Sequence, residues 1–409
     1  MLRRERPRKY VCGRLTQFDL ALRRLRRHRQ RRPTEFPGNG QFRRDRPRSI
    51  CHNRTVSQHL SPPPNKGHLS VARLANYWYV ACQSTELKRK PLARTILGTP
   101  LVLFRNHEGS ACALLDRCPH RNAPLSLGSI ANSGNIQCAY HGWQFNGQGQ
   151  CQLIPGLIDT AAAKQRQCPH LEVCEQEGLV WVYPALDETP DNRPFHLGLD
   201  KLSDHTIVVR QVDAKASLHA TLENALDVPH TAFLHQGLFR CGARNKVRVR
   251  IARTSLGVEA EYIGEPRPSG IIGRVLSPGG GIVEHWDRFL LPSIAQVEYR
   301  LGTESHFVVT ALCTPVSDFH THLTAVAAFR TPLPALLLKP LLTSVGVRIF
   351  EQDARILRAQ TENIRHFGGE QFMSSELDML GPHIWWLLRQ AERGESTEST
   401  FDRELTFMA

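Results

Sequence analysis

The 409-residue chain has no apolar run long enough to cross a bilayer. Its most apolar stretch, LPALLLKPLLTSVGV, is interrupted by Pro334, Lys339 and Pro340. A spanning helix needs roughly 20 largely apolar residues in succession, so no transmembrane anchor is expected. The N-terminus also lacks the apolar core of a secretory signal. Acid is scarce at that end: residues 1–65 hold 18 basic and 4 acidic side chains, a net of +14. The remaining 344 residues hold 34 of each. The excess charge therefore belongs to the tail, and the neutral body gives no reason to expect a nucleic-acid surface. The eleven cysteines are mostly scattered singly, as in a reduced intracellular protein rather than a disulfide framework. A cytoplasmic location is expected. No internal repeat is visible.

The basic tail, residues 1–68, is expected to be disordered. Only Leu15, Phe18, Leu22 and Leu25 fall at helical spacing, among arginines. The alternatives are an organellar transit peptide, a membrane-surface helix, a nucleic-acid arm, or upstream sequence joined through a misplaced start. Order is expected from about residue 70.

What the chain does have is CPHRNAPLSLGSIANSGNIQCAYHGW, residues 118–143. It offers Cys118 and His120, then Cys138 and His141. Soft thiolates and imidazoles at short spacing point to a metal. A four-ligand zinc site would use the same residue types. Zinc sites usually pair Cys with Cys and His with His, whereas here each loop supplies one of each. That distribution suits a two-iron cluster with both thiolates on one iron and both imidazoles on the other, which is Rieske ligation. Pro119, Pro124, Gly128 and Gly142 favour two tight loops at a common centre. A second Cys-Pro-His, Cys168 to His170, has no Cys-x-x-His after it. Cys168, His170 and Cys174 are read as structural.

Short β-rich runs separated by turns, such as TPLVLF, SACALLD and GLVWVYP, suggest a small all-β domain over 70–188. A polar linker, ALDETPDNRP, follows. Between 195 and 400 alternating runs such as TIVVRQVDA, KVRVRIAR and HFVVTALCTPV suggest an antiparallel sheet. Helical stretches near 216–235 and 345–366 interrupt it. The fold class is thus α+β. The first helical stretch carries Glu223, Asn224, Asp227, His230 and His235. Asp227 and His230 share a helix face. His230 and His235 lie about 140° apart on an ideal helix, so they converge only if the helix bulges or ends. Two such imidazoles suit iron, copper or zinc; two surface histidines near a helix end are the bland alternative.

On the cluster motif and on ENALDVPHTAFLH together, the chain over roughly 70–400 resembles the catalytic subunit of a Rieske non-haem iron oxygenase. The phrasing is closest to the single-subunit pheophorbide/chlorophyllide-oxygenase-like or vanillate-demethylase-like subgroup. The resemblance implies an N-terminal Rieske 2Fe-2S domain, then a helix-grip (START-like) catalytic domain with a mononuclear Fe(II). It implies His230, His235 and Asp353, the last in VRIFEQDARILRAQ, as iron ligands, with Asn224 nearby. It implies a homotrimer in which Asp227 links the cluster histidine His141 of one subunit to His230 of the next. It also implies an external ferredoxin or flavin reductase. Dioxygen would serve to hydroxylate, demethylate or desaturate an apolar or aromatic small molecule. Respiratory Rieske carriers add a disulfide pair inside the loops; the matching positions here are Ala123 and Tyr140. The rival reading is a non-catalytic Rieske electron carrier or redox sensor.

Helix geometry bears on Asp353 separately. Val345, Ile349, Ile356, Leu357 and Ile364 form an apolar stripe at helical spacing, and Asp353 falls inside it. Glu351 and Glu362 are expected on the opposite face, and Glu370 past the helix end after FGG. A buried carboxylate needs a compensating charge, which a metal ion or an arginine such as Arg355 would supply. Phe233, Leu234, Trp286 and Phe289 are candidates for a pocket lining or for ordinary core. The run ELKRKPLAR is expected as a solvated surface segment, with reductase docking as the alternative.

Overall fold

The computed structural model describes residues 70–158, 166–235, 246–265, 283–395 and 400–408. The basic tail lies outside them. Strands β1 (Tyr79–Gln83), β2 (Leu92–Ile96), β3 (Thr99–Arg105) and β4 (Ala111–Leu115) come first. The short strands β5 (Ser129–Ile130), β6 (Ile136–Gln137), β7 (Gln144–Phe145) and β8 (Cys151–Leu153) follow, then the hairpin β9 (His170–Gln176) and β10 (Leu179–Tyr183). They form a six-stranded antiparallel sheet, β1-β10-β9-β4-β3-β2, and a four-stranded one, β5-β6-β7-β8. The hairpin LEVCEQEGLVWVYP is the strand–turn–strand that its sequence predicts.

β10 explains how this half meets the next. All five of its residues are buried. Because side chains alternate between faces, Val180 and Val182 join Tyr79, Leu101 and Leu103 in one core. Leu179, Trp181 and Tyr183 join Trp78, Ile294, Leu312 and Val326 in another. That second core is the contact between the two sheets. It is fixed by Leu97 N–H donating to Pro315 O at 2.7 Å and by Thr314 Oγ1 donating to Val80 O at 2.7 Å.

The second half begins with β11 (Thr206–Ala214), then helices α1 (Leu218–Leu226) and α2 (Thr231–Leu234). Strands β12 (Lys246–Arg253), β13 (Gly257–Ile263), β14 (Val283–Leu290), β15 (Ile294–Leu301), β16 (Ser305–Ser317) and β17 (His320–Arg330) follow. Helices α3 (Ala335–His366) and α4 (Gly381–Arg393) and strand β18 (Phe401–Met408) close the chain. The eight strands form one antiparallel sheet, β11-β17-β16-β15-β14-β13-β12-β18. KVRVRIAR alternates as its pattern predicts: Val247, Val249 and Ile251 are buried while Lys246, Arg248 and Arg250 are exposed. Those valines meet Leu222 and Leu226 of α1 and Ile384 and Leu388 of α4 in the main core.

Several expectations need correction. The first helical stretch is not continuous, because α1 ends at Leu226 and Asp227 is extended (φ −89°, ψ 102°). Val228 precedes Pro229, whose ring disfavours helical geometry in the residue before it. Asp227 and His230 therefore do not share a face of one helix. The second helix starts at Ala335 rather than 345 and accommodates Pro340. Ile356, placed in the apolar stripe, is 48 % exposed; the buried line runs through Leu357 and Thr361 instead. Strand β14 and helix α4 were not anticipated. Neither was β18, which lies past the expected end at 400 and pairs with β12. The sequence signal for α4 is plain in hindsight: Ile384, Leu387 and Leu388 lie one helical turn apart, closed by Gly394 at φ 67°. Phe289 is core, at 0 % exposure, and Phe233 is exposed.

Candidate metal centres

The two cluster loops have the same backbone plan. Cys118 N–H donates to Ala123 O at 2.9 Å, and Asn122 N–H returns to Cys118 O at 2.9 Å. Cys138 N–H donates to Trp143 O at 2.8 Å, and Gly142 N–H returns to Cys138 O at 3.0 Å. Each loop turns at the fourth residue after its cysteine, Asn122 (φ 61°) and Gly142 (φ 73°), in the left-handed region that Asn and Gly tolerate. A Cβ on Gly142 would also stand 2.9 Å from the ring of Pro155.

Cys118 and Cys138 are buried at 1 % and 2 % exposure, packed with Leu125, Ile136 and Phe145. His141 lies at the surface. The rings of His120 and His141 are 4.5 Å apart. Trp143 stacks on His120 at 4.7 Å and 5°. Burial pushes the Cys118 thiol above its ordinary pKa; His120 N–H works against this and Cys138 with it. His120 Nδ1 is buried without a hydrogen-bond partner among the described residues. Buried thiols beside an unpartnered imidazole nitrogen form a donor set that a metal centre completes. Cys168 differs. Its Sγ contacts Leu115 O at 3.4 Å, and burial, foremost, pushes its thiol up to about 12, so it stays protonated. His170 pairs with Asp187 at 2.9 Å.

The break at Asp227 sets up the second centre. His230 begins α2 and His235 ends it, and the turn between the helices brings their rings together. His230 Nε2 and His235 Nε2 are 3.2 Å apart. Oδ1 of Asp353, from α3, is 3.2 Å from His235 Nε2 and 3.6 Å from His230 Nε2. With bonds of about 2.1 Å, neighbouring ligands at right angles stand roughly 3 Å apart, so this triangle has the size of one octahedral face.

The other ring nitrogens are oriented from outside the triangle. His235 Nδ1 donates to Gln352 Oε1 at 2.9 Å, which places its proton on Nδ1 and leaves the Nε2 lone pair facing inward. Asp227 Oδ2 lies 3.4 Å from His230 Nδ1, an ion-pair separation rather than a well-formed hydrogen bond. Asn224 Nδ2 is 3.4 Å from Asp353 Oδ1. Burial lowers the His230 pKa, but Asp227 and Asp353 outweigh it and push it up to about 9. Without a metal, the His230 imidazolium balances the carboxylate of Asp353; a divalent cation held by all three groups would displace that proton and take its place. Glu351 and Glu362 are exposed, and Glu370 accepts from Ser70 N–H at 2.6 Å. Gln352 had no residue-type signal in the sequence, since glutamine is ordinary on a helix surface.

The fold and the two donor sets define a Rieske-type oxygenase architecture, and the chain is similar to the Rieske non-haem iron oxygenases over both halves. Residues 77–164 match the Rieske [2Fe-2S] domain, and residues 214–393 match the vanillate O-demethylase oxygenase C-terminal domain. Among curated proteins, the oxygenase component of dicamba O-demethylase from Stenotrophomonas maltophilia is 34 % identical over 52 % of this chain and 62 % of its own length. Chlorophyllide a oxygenase, chloroplastic, from Oryza sativa subsp. japonica is 31 % identical over 48 % of this chain and 35 % of its own length. These alignments thus span less than two thirds of either relative. The crystal structure of dicamba monooxygenase bound to 3,6-dichlorosalicylic acid superposes with TM-score 0.67 at 26 % identity, covering 79 % of this chain and 98 % of that one.

Proposed function

We propose that the chain is the oxygenase component of a multi-component Rieske system acting on an apolar or aromatic small molecule. In this reading the Rieske domain comprises residues 70–188 and the catalytic domain begins near 195. The observation that carries it is the triangle of His230, His235 and Asp353 in a chain that also holds the cluster donors. An electron carrier has no use for the second donor set. When bound, the cluster supplies single electrons and the mononuclear iron supplies a place for dioxygen to be reduced beside substrate.

The chain's own residues then have separate tasks. Cys118 and Cys138 would hold one iron of the cluster, and His120 and His141 the other. His230, His235 and Asp353 hold the mononuclear iron. Gln352 fixes which nitrogen of His235 carries its proton, Asp227 holds the outer side of His230 by charge, and Asn224 steadies the carboxylate of Asp353. Asp227 is well placed to couple the centres, because it touches His230 and keeps part of its carboxylate at the surface. The surface position of His141 suits a partner histidine-to-carboxylate contact in a homotrimer.

Relatives named as an oxygenase component and as an iron-sulfur subunit of a monooxygenase system support an external reductase. The exposed Lys88, Arg89 and Lys90 offer it a basic surface. No helix among the described residues is long and apolar enough to cross a membrane. Cytoplasmic placement belongs to this reading. The relatives named as chloroplastic make an organelle the alternative, which a fluorescent fusion of the full chain distinguishes. The test of the whole reading is metal content with oxygen uptake. Three irons per chain and substrate-triggered uptake are expected; two irons and no uptake would leave an electron carrier.

A further inference from the structure

The helix-facing side of the eight-stranded sheet divides into rows. Phe289, Ala295, Ala311 and Ala325 are in register across β14 to β17. They are buried with Leu218, Leu222 and Leu226 of α1; alanines let the helix sit close. Two residues along each strand, on the same face, lies the next row, Asp287, Val297, Val309 and Ala327. Its three apolar members are only half-buried, so the described residues leave an apolar strip partly uncovered beside the helix that leads into His230, with Val297 at its edge against the core.

The end of that strip is a carboxylate. Asp287 is 1 % exposed. Its Oδ1 accepts from His285 Nε2 at 3.0 Å; its Oδ2 has no well-formed hydrogen bond among the described residues, and the buried Tyr262 hydroxyl is the donor beside the carboxylate. His285, fully buried, lies between the rings of Tyr262 at 4.2 Å and Tyr299 at 3.9 Å, and its Nδ1 meets Glu265 Oε2 at 2.8 Å. Burial lowers the His285 pKa, but the two carboxylates outweigh it and push it up to about 9. His285 thus bridges two carboxylates through its two ring nitrogens. A buried acceptor left without a well-formed hydrogen bond is costly, and a carboxylate oxygen beside an open apolar strip is a place for a ligand to supply one.

We propose that Asp287 is the polar terminus of the substrate pocket, and that the substrate carries a hydrogen-bond donor, an amine in preference to a carboxylate, on an apolar body lying along Val297, Val309 and Ala327. This rests on the oxygenase reading and names its substrate class. His285 acts as a positioning residue that holds the Asp287 carboxylate in place.

The test uses the full-length, metal-loaded protein and ligand-observed NMR titration with benzylamine, benzyl alcohol and benzoate. Benzylamine should bind roughly tenfold or more tighter than benzoate, as one charge-assisted hydrogen bond requires, with benzyl alcohol between them. Asp287→Asn should bring benzylamine and benzyl alcohol to within about twofold, since only the charge is removed. Ala327→Leu, which fills the strip, should weaken all three. Benzoate binding as tightly as the amine, no measurable amine binding, or an amine preference that survives Asp287→Asn overturns the proposal. The wild-type comparison decides it even if the Asn variant fails to fold. Iron and acid-labile sulfide are assayed in parallel, so a protein with three irons that ignores the amine refutes this inference and not the oxygenase reading.

Discussion

Replacing Gln352 by leucine removes one hydrogen bond and nothing else at the mononuclear site. Gln352 offers no ligand atom to the triangle; it accepts from His235 Nδ1 at 2.9 Å. The side chain of His235 is 2 % exposed, so the lost bond is to a buried group, worth about 1–3 kcal/mol. A change of that size is roughly 5- to 150-fold in an equilibrium constant, which brackets the roughly 10- to 100-fold expected when the outer partner of a metal-ligating histidine is lost. Fe(II) affinity, measured by chelator competition, should fall by that factor in Gln352→Leu, while the Rieske absorption and its EPR signal stay unchanged. Gln352→Glu keeps an acceptor at the same reach and should retain or improve affinity. Glu351→Ala, one residue away but exposed, should be silent. If Gln352→Leu binds Fe(II) as tightly as the wild type, or if Glu351→Ala is the variant that loses metal, the argument about the histidine tautomer is wrong.

Asp353→Ala should lose the mononuclear iron and all oxygen uptake while iron analysis still finds the two cluster irons. Cys118→Ala or Cys138→Ala should abolish the brown colour and the reduced-state EPR signal; a colourless wild type with one zinc would refute the cluster. Asp227→Asn should retain both centres yet slow cluster reoxidation by orders of magnitude in single-turnover mixing, and a wild-type rate would remove Asp227 from the electron path. Deleting residues 1–65 should leave cluster incorporation and turnover intact, because those residues carry the charge excess and no core-forming pattern; loss of the cluster would contradict this.

What could be read from the sequence was whatever depended on residue type at short range. The two Cys/His loops needed only local spacing, and the structure gives both the same turn and backbone hydrogen bonds. The strands TIVVRQVDA and KVRVRIAR were visible because alternation is a two-residue property. VEHWDRFL, which became β14, was not: it mixes His285, Asp287 and Arg288 into positions that a half-buried strand would fill with apolar side chains. His285 and Arg288 are buried in partnership with Glu265, Glu259 and Glu298, residues 10 to 29 positions away, and no local pattern announces such pairing. Gln352 escaped for the same reason, as its partner His235 is 117 positions earlier in the chain. The edge strand β18 depends on a pairing with β12 across some 150 residues. Periodicity gives a face and not its edges, so Ile356 on α3 falls outside the buried stripe.

The spacing of His230 and His235 shows how one local rule decides a distant geometry. Five residues on a straight helix would turn the two imidazoles about 140° apart. Pro229 prevents that helix, because Val228 before it cannot easily take helical torsions. α1 therefore stops at Leu226, held from its start by Ser217 accepting from Ala220 N–H. The chain runs extended through Asp227, and α2 restarts at His230 with a new axis. The same break that lets the rings meet also moves Asp227 off the helix and to the side of His230 facing away from the triangle. A continuous helix would have given neither arrangement. The metal triangle and its outer carboxylate thus come from one interruption, and α3 needs only to deliver Asp353 on its inward face to complete them.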